Sequence, residues 1–285
     1  MKLALATCAT VPAWEVDDRP FHEALAARGI DPRQVVWDDP TVDWSAFNTV
    51  VIRTTWDYQE KRDAFVAWAE QVPAPLHNPP DIVRWNTHKS YLRDLEARGI
   101  PIVPTEWLAR GTSPDIEALC KRRGWKRAFL KPCVGATARE TLRFDAGDPA
   151  AVEHARRLLP NEDLMLQPYL SRVERDGELS AIFIDGELTH SVRKVPVSGD
   201  YRVQDDFGAK DYAIEFPDVA LARKTMDVLS RPLLYGRADF LIDDEGLKLT
   251  ELELVEPSLF FRHGRHAADR LADAIAKLLP RPTED

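Results

Sequence analysis

The sequence predicts a small α/β layer followed by a larger α+β region. Three observations support this fold class. Short apolar strands alternate with amphipathic helices over the first 75 residues, a proline-rich segment (73–80) follows, and strand–turn–strand patterns then replace the alternation. Alternating strands and helices indicate a parallel sheet, whereas consecutive strands joined by tight turns indicate antiparallel hairpins. We therefore expect a domain boundary near residue 80.

The first 75 residues contain the elements of a small parallel sheet. Three short apolar runs are typical of buried strands: KLALAT, RQVVWD and NTVVIRTTW. Two longer segments have the apolar spacing of amphipathic helices: RPFHEALAARGI and RDAFVAWAEQV. The first helix is expected to end at Gly29, because glycine is common just after a helix. We predict an α/β domain over residues 1–80.

The rest of the chain mixes helices with paired strands. We predict helices in five segments: THKSYLRDLEARGI, PDIEALCKRRG, PAAVEHARRLL, PDVALARKTMDVLS and HAADRLADAIAKLL. AFLKP and ETLRF are expected to pair as strands, and the Asp-Gly in IFIDGELTH (182–190) is typical of a tight hairpin turn. We divide this region into a smaller lobe (81–165) and a larger lobe (166–285).

Composition excludes several classes of protein. The 285 residues are 44% hydrophobic and 30% charged, as in folded globular chains, and the net charge of −9 argues against a general nucleic-acid binder. No apolar run approaches the roughly 20 residues that a membrane span needs. The N-terminal segment fits a first strand better than a secretory signal, and the three cysteines show neither disulfide nor zinc spacing. We expect a cytoplasmic enzyme without nucleic-acid or membrane partners.

Two glutamates stand on one side of a predicted strand. In LKLTELELVEPSLFF (247–261), Glu251 and Glu253 alternate with leucines, so both carboxylates project from one face. Folding GRADFLIDDEGLKLTELEL about its DDEG turn places Asp239 opposite Glu251, and opposed residues point to the same face. Three converging carboxylates are stable mainly when a cation such as Mg²⁺ neutralises them. The alternative is a solvated sheet face, where the acids only keep an edge soluble.

Basic residues lie at several predicted strand ends and at one helix start. Lys89 opens a helix, and Lys131 closes a strand before a loop of small residues. Lys194, Arg202 and Arg237 follow later in the chain. Such residues can clamp phosphates and stabilise a transferred phosphoryl group, although most lysines and arginines only interact with solvent. The loop after Lys131 matches neither of the common glycine-rich phosphate motifs, GxxxxGK[ST] and GxGxxG. The sequence therefore supports neither a P-loop nor a Rossmann phosphate site.

Five segments in chain order resemble the ATP-grasp superfamily. They are NTHKSYLRDLEARGIPIVPT, FLKPCVGATARET, LMLQPYLSRVERDGELSAIFIDGE, GRADFL and LTELELVEPS. The resemblance covers about residues 80–280, and the preceding region resembles the preATP-grasp domain of these enzymes. Within the superfamily the sequence is most similar to glutathione synthetase and RimK-type ligases, and among these to the O-ureido-D-serine cyclo-ligase of cycloserine biosynthesis. The resemblance implies an ATP-grasp fold.

The resemblance also implies roles for residues that match the family pattern. The implied ATP-binding positions are two phosphate-binding lysines, three residues at the adenine and one acid at the ribose: Lys89, Lys131, Gln167, Tyr169, Leu170 and Glu174. The implied ligands of Mg²⁺ (or Mn²⁺) are Asp239, Glu251 and Glu253. The implied catalytic residues, which face the transferred phosphate and the acyl group, are Arg237, Lys194 and Arg202.

Two features depart from the family pattern. Many relatives have Glu-x-Asn at the last metal motif, whereas this chain has Glu251-Leu-Glu253, which adds a negative charge. The loop after Lys131 contains only Gly135 where relatives often have several glycines, so its backbone has less conformational freedom.

The implied reaction is an ATP-dependent carboxylate–amine ligation. A substrate carboxylate attacks the γ-phosphate of ATP to give an acyl phosphate and ADP, and an amine then displaces phosphate. The expected substrates are a small-molecule carboxylate and an amine, as in a small amino acid or peptide. The alternatives are ring closure within one amino-acid derivative, a kinase, and an ATP-binding module without ligase activity. A homodimer is common among relatives and is possible here, and the sequence leaves the oligomeric state open.

The segment VIRTTWDY (51–58) is a candidate substrate site, because α/β layers bind ligands in loops after parallel strands. Arg53 has the geometry to pair with a carboxylate, Trp56 to shape a pocket, and Asp57 to hold an amine. The alternative is that Trp56 packs between domains and Arg53 forms an internal salt bridge.

Overall fold

The computed structural model describes residues 2–11, 15–136, 138–204 and 207–279. Its strands are β1 (Leu3–Thr7), β2 (Pro32–Val36), β3 (Thr49–Thr54), β4 (Leu76–His77), β5 (Glu106–Leu108), β6 (Arg127–Pro132), β7 (Leu142–Asp145), β8 (Leu164–Pro168), β9 (Glu178–Ile184), β10 (Glu187–Val195), β11 (Lys210–Ile214), β12 (Tyr235–Ile242) and β13 (Leu247–Glu253). Its helices are α1 (Arg19–Ala27), α2 (Arg62–Gln71), α3 (Pro80–Asn86), α4 (Tyr91–Ala97), α5 (Ile116–Arg123), α6 (Pro149–Leu158), α7 (Val173–Asp176), α8 (Val219–Asp227) and α9 (Arg265–Leu278). None of the helices in these ranges is long and apolar enough to cross a membrane.

The first sheet is the parallel layer that the sequence predicts. Its four strands have the order β2-β1-β3-β4, and every pairing between them is parallel. Leu3 and Leu5 of β1 pack with α1, whereas Ala4 and Ala6 pack with α2, because successive side chains of a strand point to opposite faces. Burial on both faces explains why β1 is a continuous apolar run.

The second sheet is antiparallel, with the strand order β5-β8-β6-β7. The predicted pairing of AFLKP with ETLRF is confirmed, because β6 and β7 are hydrogen-bonded neighbours. Helices α5 and α6 cover this sheet and form a separate apolar core with it. The predicted lobe boundary between residues 165 and 166 is wrong in detail, since it cuts β8, whose partners β5 and β6 both belong to this sheet.

The third sheet has five antiparallel strands in the order β11-β10-β9-β12-β13. The predicted hairpin between β9 and β10 is confirmed, and its turn residues Asp185 and Gly186 have φ angles of 50° and 75°. Helices α3 and α4 pack against this sheet through a core that contains Tyr91, Leu92 and Leu252. Residues 80–97, which the sequence analysis assigned to the smaller lobe, therefore pack with the third sheet.

One apolar core joins the first sheet to the third. It contains Leu3 and Leu5 of β1, Ile182 and Ile184 of β9, and the buried face of α9. Helix α9 also packs directly against α1. The N-terminal layer is thus fixed to the back of the third sheet, and the ends of β12 and β13 face the loops of that layer.

Two buried asparagines fasten the segment after the first sheet to the hairpin of β12 and β13. The Asn78 amide donates hydrogen bonds to the carbonyl oxygens of Tyr235 and Leu254 at 2.9 and 2.7 Å. The Asn86 amide donates to the carbonyl of Leu252 at 2.8 Å and accepts from the N–H of Leu254 at 2.8 Å. These side chains satisfy backbone groups of β13 and of the residue after it, which would otherwise be buried without a partner.

Candidate active site

A cavity of about 380 Å³ lies where the three sheets meet. The first domain contributes Trp56, the second sheet Lys131, and the third sheet Asp239 and Glu251 to its lining. Its volume falls within the range of about 300–1,000 Å³ that small-molecule sites have. Most of the residues for which the sequence analysis expects a catalytic or binding role face this space, so the cavity is the candidate active site.

The three acids of the predicted hairpin converge on the cavity. Asp239 lies directly opposite Glu251, and Arg237 lies opposite Glu253, which confirms the register that the sequence analysis expects. One carboxylate oxygen from each of Asp239, Glu251 and Glu253 lies within 4.8 Å of the other two. The arrangement brings three negatively charged groups to one face of the sheet, where their mutual repulsion must be balanced by cations.

The three basic residues with implied catalytic roles all line the cavity. The Arg237 guanidinium donates to Asp239 at 3.1 Å and also contacts Glu253. The Lys194 ammonium lies 3.5 Å from Asp239. Arg202 instead pairs with Asp200 at 2.6 Å, so its guanidinium is held at the edge of the site.

Asp239 remains charged because two of these cations lie beside it. Burial alone would raise the pKa of Asp239, but Arg237 and Lys194 outweigh burial and lower that pKa to about 2. The same ion pairs raise the pKa of Arg237 against the opposing effect of burial. Three carboxylates within 4.8 Å form the all-oxygen donor set that Mg²⁺ and Mn²⁺ prefer, so these residues fit a divalent cation.

Both lysines expected at the ATP phosphates line the cavity. The Lys89 ammonium forms an ion pair with Glu251, and the Lys89 N–H donates to the carbonyl of Cys133 at 2.8 Å, which ties α4 to the loop after β6. Burial lowers the pKa of Lys131 to about 8, and the neighbouring charge of Lys89 adds to this effect. Lys131 forms no ion pair with any residue in the described ranges and is therefore ready to bind an anion.

The residues expected at the adenine and ribose divide into two groups. Gln167 and Leu170 line the cavity, and the Gln167 amide is oriented by a hydrogen bond to Thr105 at 2.8 Å. Tyr169 and Glu174 lie outside the cavity lining, where the Tyr169 hydroxyl donates to the Glu174 carboxylate. The predicted ribose contact of Glu174 therefore does not fit the structure, because short helix α7 directs this carboxylate away from the cavity.

A different acid, Glu178, faces the cavity at the start of β9. Its carboxylate pairs with Lys194, and burial raises its pKa against the lowering effect of that ammonium. The sequence analysis missed Glu178 because the segment between β8 and β9 contains several acids of similar spacing. Its place at the first residue of a strand was the available signal.

The loop after β6 has a strained backbone where relatives often have glycine. Ala138 and Glu140 adopt the left-handed conformation, with φ angles of 57° and 49°. Residues with a Cβ atom rarely adopt such angles. The N–H of Ala136 donates to the Gln59 side chain, so the loop also contacts the first domain.

The substrate segment after β3 is placed differently from the expectation. Arg53 forms a bidentate salt bridge with Asp18 at 2.8 and 3.0 Å, and its exposed fraction is 3%. Asp57 accepts a hydrogen bond from the Trp37 indole at 2.8 Å and does not line the cavity. Arg53 and Asp57 are therefore not available to a substrate, and the internal salt bridge is the interpretation that fits. Trp56 does line the cavity.

Two further residues stand in the same wall, one from the predicted substrate segment (51–58) and one that the sequence did not indicate. Tyr58 and Glu256 line the cavity beside Trp56, and both are buried. Burial raises the pKa of Glu256 to about 8, and the nearby Glu253 carboxylate adds to the rise. The VEPS sequence after β13 gave no spacing signal for this acid, because the chain leaves the strand before reaching it.

The three sheets and the cavity between them form the ATP-grasp fold. Solved ATP-grasp structures have the same fold: a RimK domain protein from Sphaerobacter thermophilus matches with a TM-score of 0.70 at 18% identity, covering 97% of this chain and 100% of that one. D-alanine–D-alanine ligase from Bacillus anthracis, solved with ATP, matches with a TM-score of 0.70 at 12% identity, covering 98% and 97%.

The chain belongs to the family of the cycloserine biosynthesis protein DcsG. It is 32% identical to that protein of Streptomyces lavendulae over 97% of this chain and 98% of the relative. The crystal structure of D-cycloserine synthetase DcsG matches with a TM-score of 0.87, covering 98% of this chain and 100% of that one. Residues 3–78 match the family described as the N-terminal domain of D-cycloserine synthetase DcsG.

Proposed function

We propose that this ligase uses ATP to close a ring within a small amino-acid derivative of the O-ureido-serine type. The supporting observation is the convergence of the three acids of β12 and β13 with Lys89 and Lys131 on one cavity. Similarity to DcsG over nearly the whole chain supports the intramolecular reaction over ligation of two separate molecules. The substrate class rests on that similarity and on the size of the cavity.

The reaction has two steps. First, an oxygen of the substrate carboxylate bonds to the γ-phosphorus of ATP, and the bond from that phosphorus to the bridging oxygen breaks, which releases ADP. Second, a nitrogen of the same molecule bonds to the carbonyl carbon, and the bond from that carbon to the phosphate oxygen breaks. The phosphate leaves with the electron pair, and the nitrogen loses a proton to solvent.

The residues of the cavity hold the reacting groups in position. Lys131, which has no acid partner among the described residues, would bind the ATP phosphates together with Lys89. Arg237 and Lys194 would stabilise the charge that develops on the transferred phosphoryl group, because such fixed cations act strongly in a water-poor site. Arg202 is suited to the entrance, since Asp200 holds its guanidinium there.

Asp239, Glu251 and Glu253 would hold Mg²⁺, or Mn²⁺ in its place. When bound, the cation supplies positive charge that neutralises phosphate oxygens and orients them for transfer. Binding at these acids requires Lys89 to leave Glu251, which frees the Lys89 ammonium for a phosphate. Competition between the cation and the lysine at Glu251 therefore couples metal binding to the binding of ATP.

The nucleotide base and sugar would lie along the wall formed by the end of β8 and the start of β9. Gln167 in β8 and Leu170 shortly after β8 are the candidate residues for binding the adenine. Glu178 replaces Glu174 as the proposed acceptor for the ribose hydroxyls, because its carboxylate faces the cavity.

The experiment is an assay of phosphate release from ATP and Mg²⁺ with O-ureido-D-serine and a set of amino acids, followed by mass spectrometry of the product. A cyclic product with equimolar ADP and free phosphate supports the proposal. A stable phosphorylated product contradicts it in favour of a kinase, and a linear amide contradicts the intramolecular step. Turnover that survives both Asp239→Ala and Glu251→Ala would show that the metal assignment is wrong.

A homodimer and a cytoplasmic location also stay predictions. Light scattering of the purified chain at several concentrations tests the first. Fractionation of the cells that produce it tests the second.

A further inference from the structure

Glu256 is a buried acid in the cavity that the proposed reaction does not use. It follows β13 by three residues, and its exposed fraction is 9%. The Trp56 indole donates a hydrogen bond to the Glu256 carbonyl oxygen at 3.1 Å, which fixes the loop of the first domain against it. Its side chain faces the same space as Trp56 and Tyr58.

Glu256 differs from four other acids that line the cavity in having no basic partner. Lysine or arginine pairs with each of four acids: Glu178, Asp239, Glu251 and Glu253. Within the described ranges, the Glu256 carboxylate forms no ion pair, and it is hydrogen-bonded to the backbone N–H of its own residue. Lys89 and Arg237 are close enough to affect it electrostatically, but their charges are paired with the other acids.

A carboxylate in this position is costly unless a cation joins it. Removing an ionised carboxylate from water is strongly unfavourable without a partner. Burial is also the first cause of the raised pKa of Glu256. Glu256 does not belong to the set of acids whose oxygens lie within 4.8 Å of one another, so it is not positioned as a further ligand of the proposed metal ion.

The surrounding side chains favour an organic cation. Trp56 and Tyr58 stand beside Glu256 in the cavity wall, and aromatic rings attract ammonium groups through their π-electrons. A carboxylate next to two aromatic side chains is suited to an alkylammonium group, which is partly apolar and carries one charge.

We propose that Glu256, with Trp56 and Tyr58, binds the ammonium group of the amino-acid substrate. The assignment rests on the proposed function and extends it, because it requires a substrate with a free amine in addition to the carboxylate that is activated. An ammonium held at Glu256 fixes one end of the substrate, so that its carboxylate is directed toward the acids and Arg237 of the hairpin. Glu256, and not Asp57, is thus the proposed partner of the substrate amine.

The test compares acids that differ only in the amine. Acyl phosphate is trapped as the hydroxamate with hydroxylamine, in the presence of ATP and Mg²⁺. The substrates are O-ureido-D-serine, D-serine and D-alanine, each beside the same acid without its α-amine. For the wild-type protein we expect the amine to raise kcat/KM by about 10- to 100-fold, as for hydrogen bonds to a charged group.

Variants of single residues test which side chain causes the preference for acids that carry the α-amine. Glu256→Gln is expected to lose most of it while the KM for ATP stays close to the wild-type value, and Glu256→Asp to keep only a part. Glu15→Gln is the matched control, since Glu15 lines the same cavity from the first domain, and it is expected to keep the preference.

Two results would overturn the assignment: Glu256→Gln keeps the full preference, or Glu15→Gln loses it instead. If Glu256→Gln does not fold, an unchanged preference in Glu256→Asp has the same meaning. Wild-type turnover without any preference for the amine also overturns it. If the wild-type protein activates none of the acids in the set, that result contradicts the proposed function itself.

Discussion

Arg53 and Asp18 form a buried, bidentate salt bridge, with N–O distances of 2.8 and 3.0 Å, between β3 and the residue before α1. Both residues are nearly inaccessible, at 3% exposure each. The guanidinium also donates to the carbonyl of Pro257, the residue after Glu256, at 3.3 Å. Arg53 therefore stabilises the wall of the cavity from behind and does not face a ligand.

Replacement of Arg53 is expected to reduce stability. Arg53→Met leaves the Asp18 carboxylate buried without its partner, which costs about 3–5 kcal/mol in buried pairs. Denaturant unfolding measures the loss, and the double variant with Asp18→Leu is expected to recover part of it. If Arg53→Met leaves the free energy of unfolding unchanged and raises the KM for the acid substrate, the result would support the original assignment of Arg53 as a substrate ligand.

Glu178 and Glu174 are expected to differ in their effect on ATP binding. Glu178→Gln removes a charged acceptor that faces the cavity, so the KM for ATP should rise about tenfold, as when one charge-assisted hydrogen bond is lost. Glu174→Gln is the matched control and should leave the KM unchanged. Comparison of ATP with 2′-deoxy-ATP identifies the contact, because Glu178→Gln should discriminate less between them. The opposite ranking of the two variants would support the original assignment of Glu174.

We expect the charge of Lys131 to lower the stability of the folded protein and to strengthen ATP binding. Its pKa of about 8 in the folded chain lies below the ordinary value of 10.5, so the unfolded chain binds more protons between these pH values. Stability therefore rises with pH through this window, and the charged lysine destabilises the folded protein below about pH 8. Lys131→Met should raise the free energy of unfolding at pH 7 by on the order of 1–3 kcal/mol and weaken ATP binding.

The pH dependence provides the check on Lys131. The gain from Lys131→Met should shrink as the pH rises from 8 toward 10.5, as measured by unfolding at several pH values. Lys126→Met, just before the same strand and exposed, is the control and should change neither property. A loss of stability in Lys131→Met at pH 7 would contradict the unfavourable burial of this ammonium.

The strained loop after β6 offers a stabilising substitution. Ala138→Gly relieves a left-handed residue with φ of 57°, and we expect a gain of about 0.5–1 kcal/mol after the entropy of the added glycine is subtracted. Ala136→Gly, in the same loop at a position without positive φ, should give no gain. Equal effects of both variants on the unfolding free energy would show that flexibility of the loop, and not strain at Ala138, determines the result.

The sequence predicts the sheets and the acidic hairpin better than the walls around them. Alternation of apolar and charged residues predicted that Asp239 and Glu251 share one face, but they lie opposite each other because the register shifts by one residue between Asp239 and Phe240, which the four-residue turn does not predict. Arg53 and Asp57 were assigned from local sequence alone, and Glu174 was assigned from the family resemblance. Their actual partners, such as Asp18 for Arg53 and Trp37 for Asp57, are distant in the chain, and pairing of this kind has no local signal.

Glu256 was missed for a related reason. A buried acid in an irregular segment has no periodicity, and only the approach of Trp56 from the first domain shows that it lies in the cavity wall. The division into a smaller and a larger lobe was inaccurate for a similar reason. Helices α3 and α4 precede the second sheet in sequence but pack on the third, which local patterns do not indicate.

The asparagine side chains that fasten the segment after β4 to the hairpin of β12 and β13 have a consequence for motion. Asn78 and Asn86 join the first domain to the third sheet, whereas the second sheet has an apolar core of its own. We expect the first domain and the third sheet to behave as one rigid body. Entry of a nucleotide and departure of its product would then depend on a hinge at the end of β8, about which the second sheet swings.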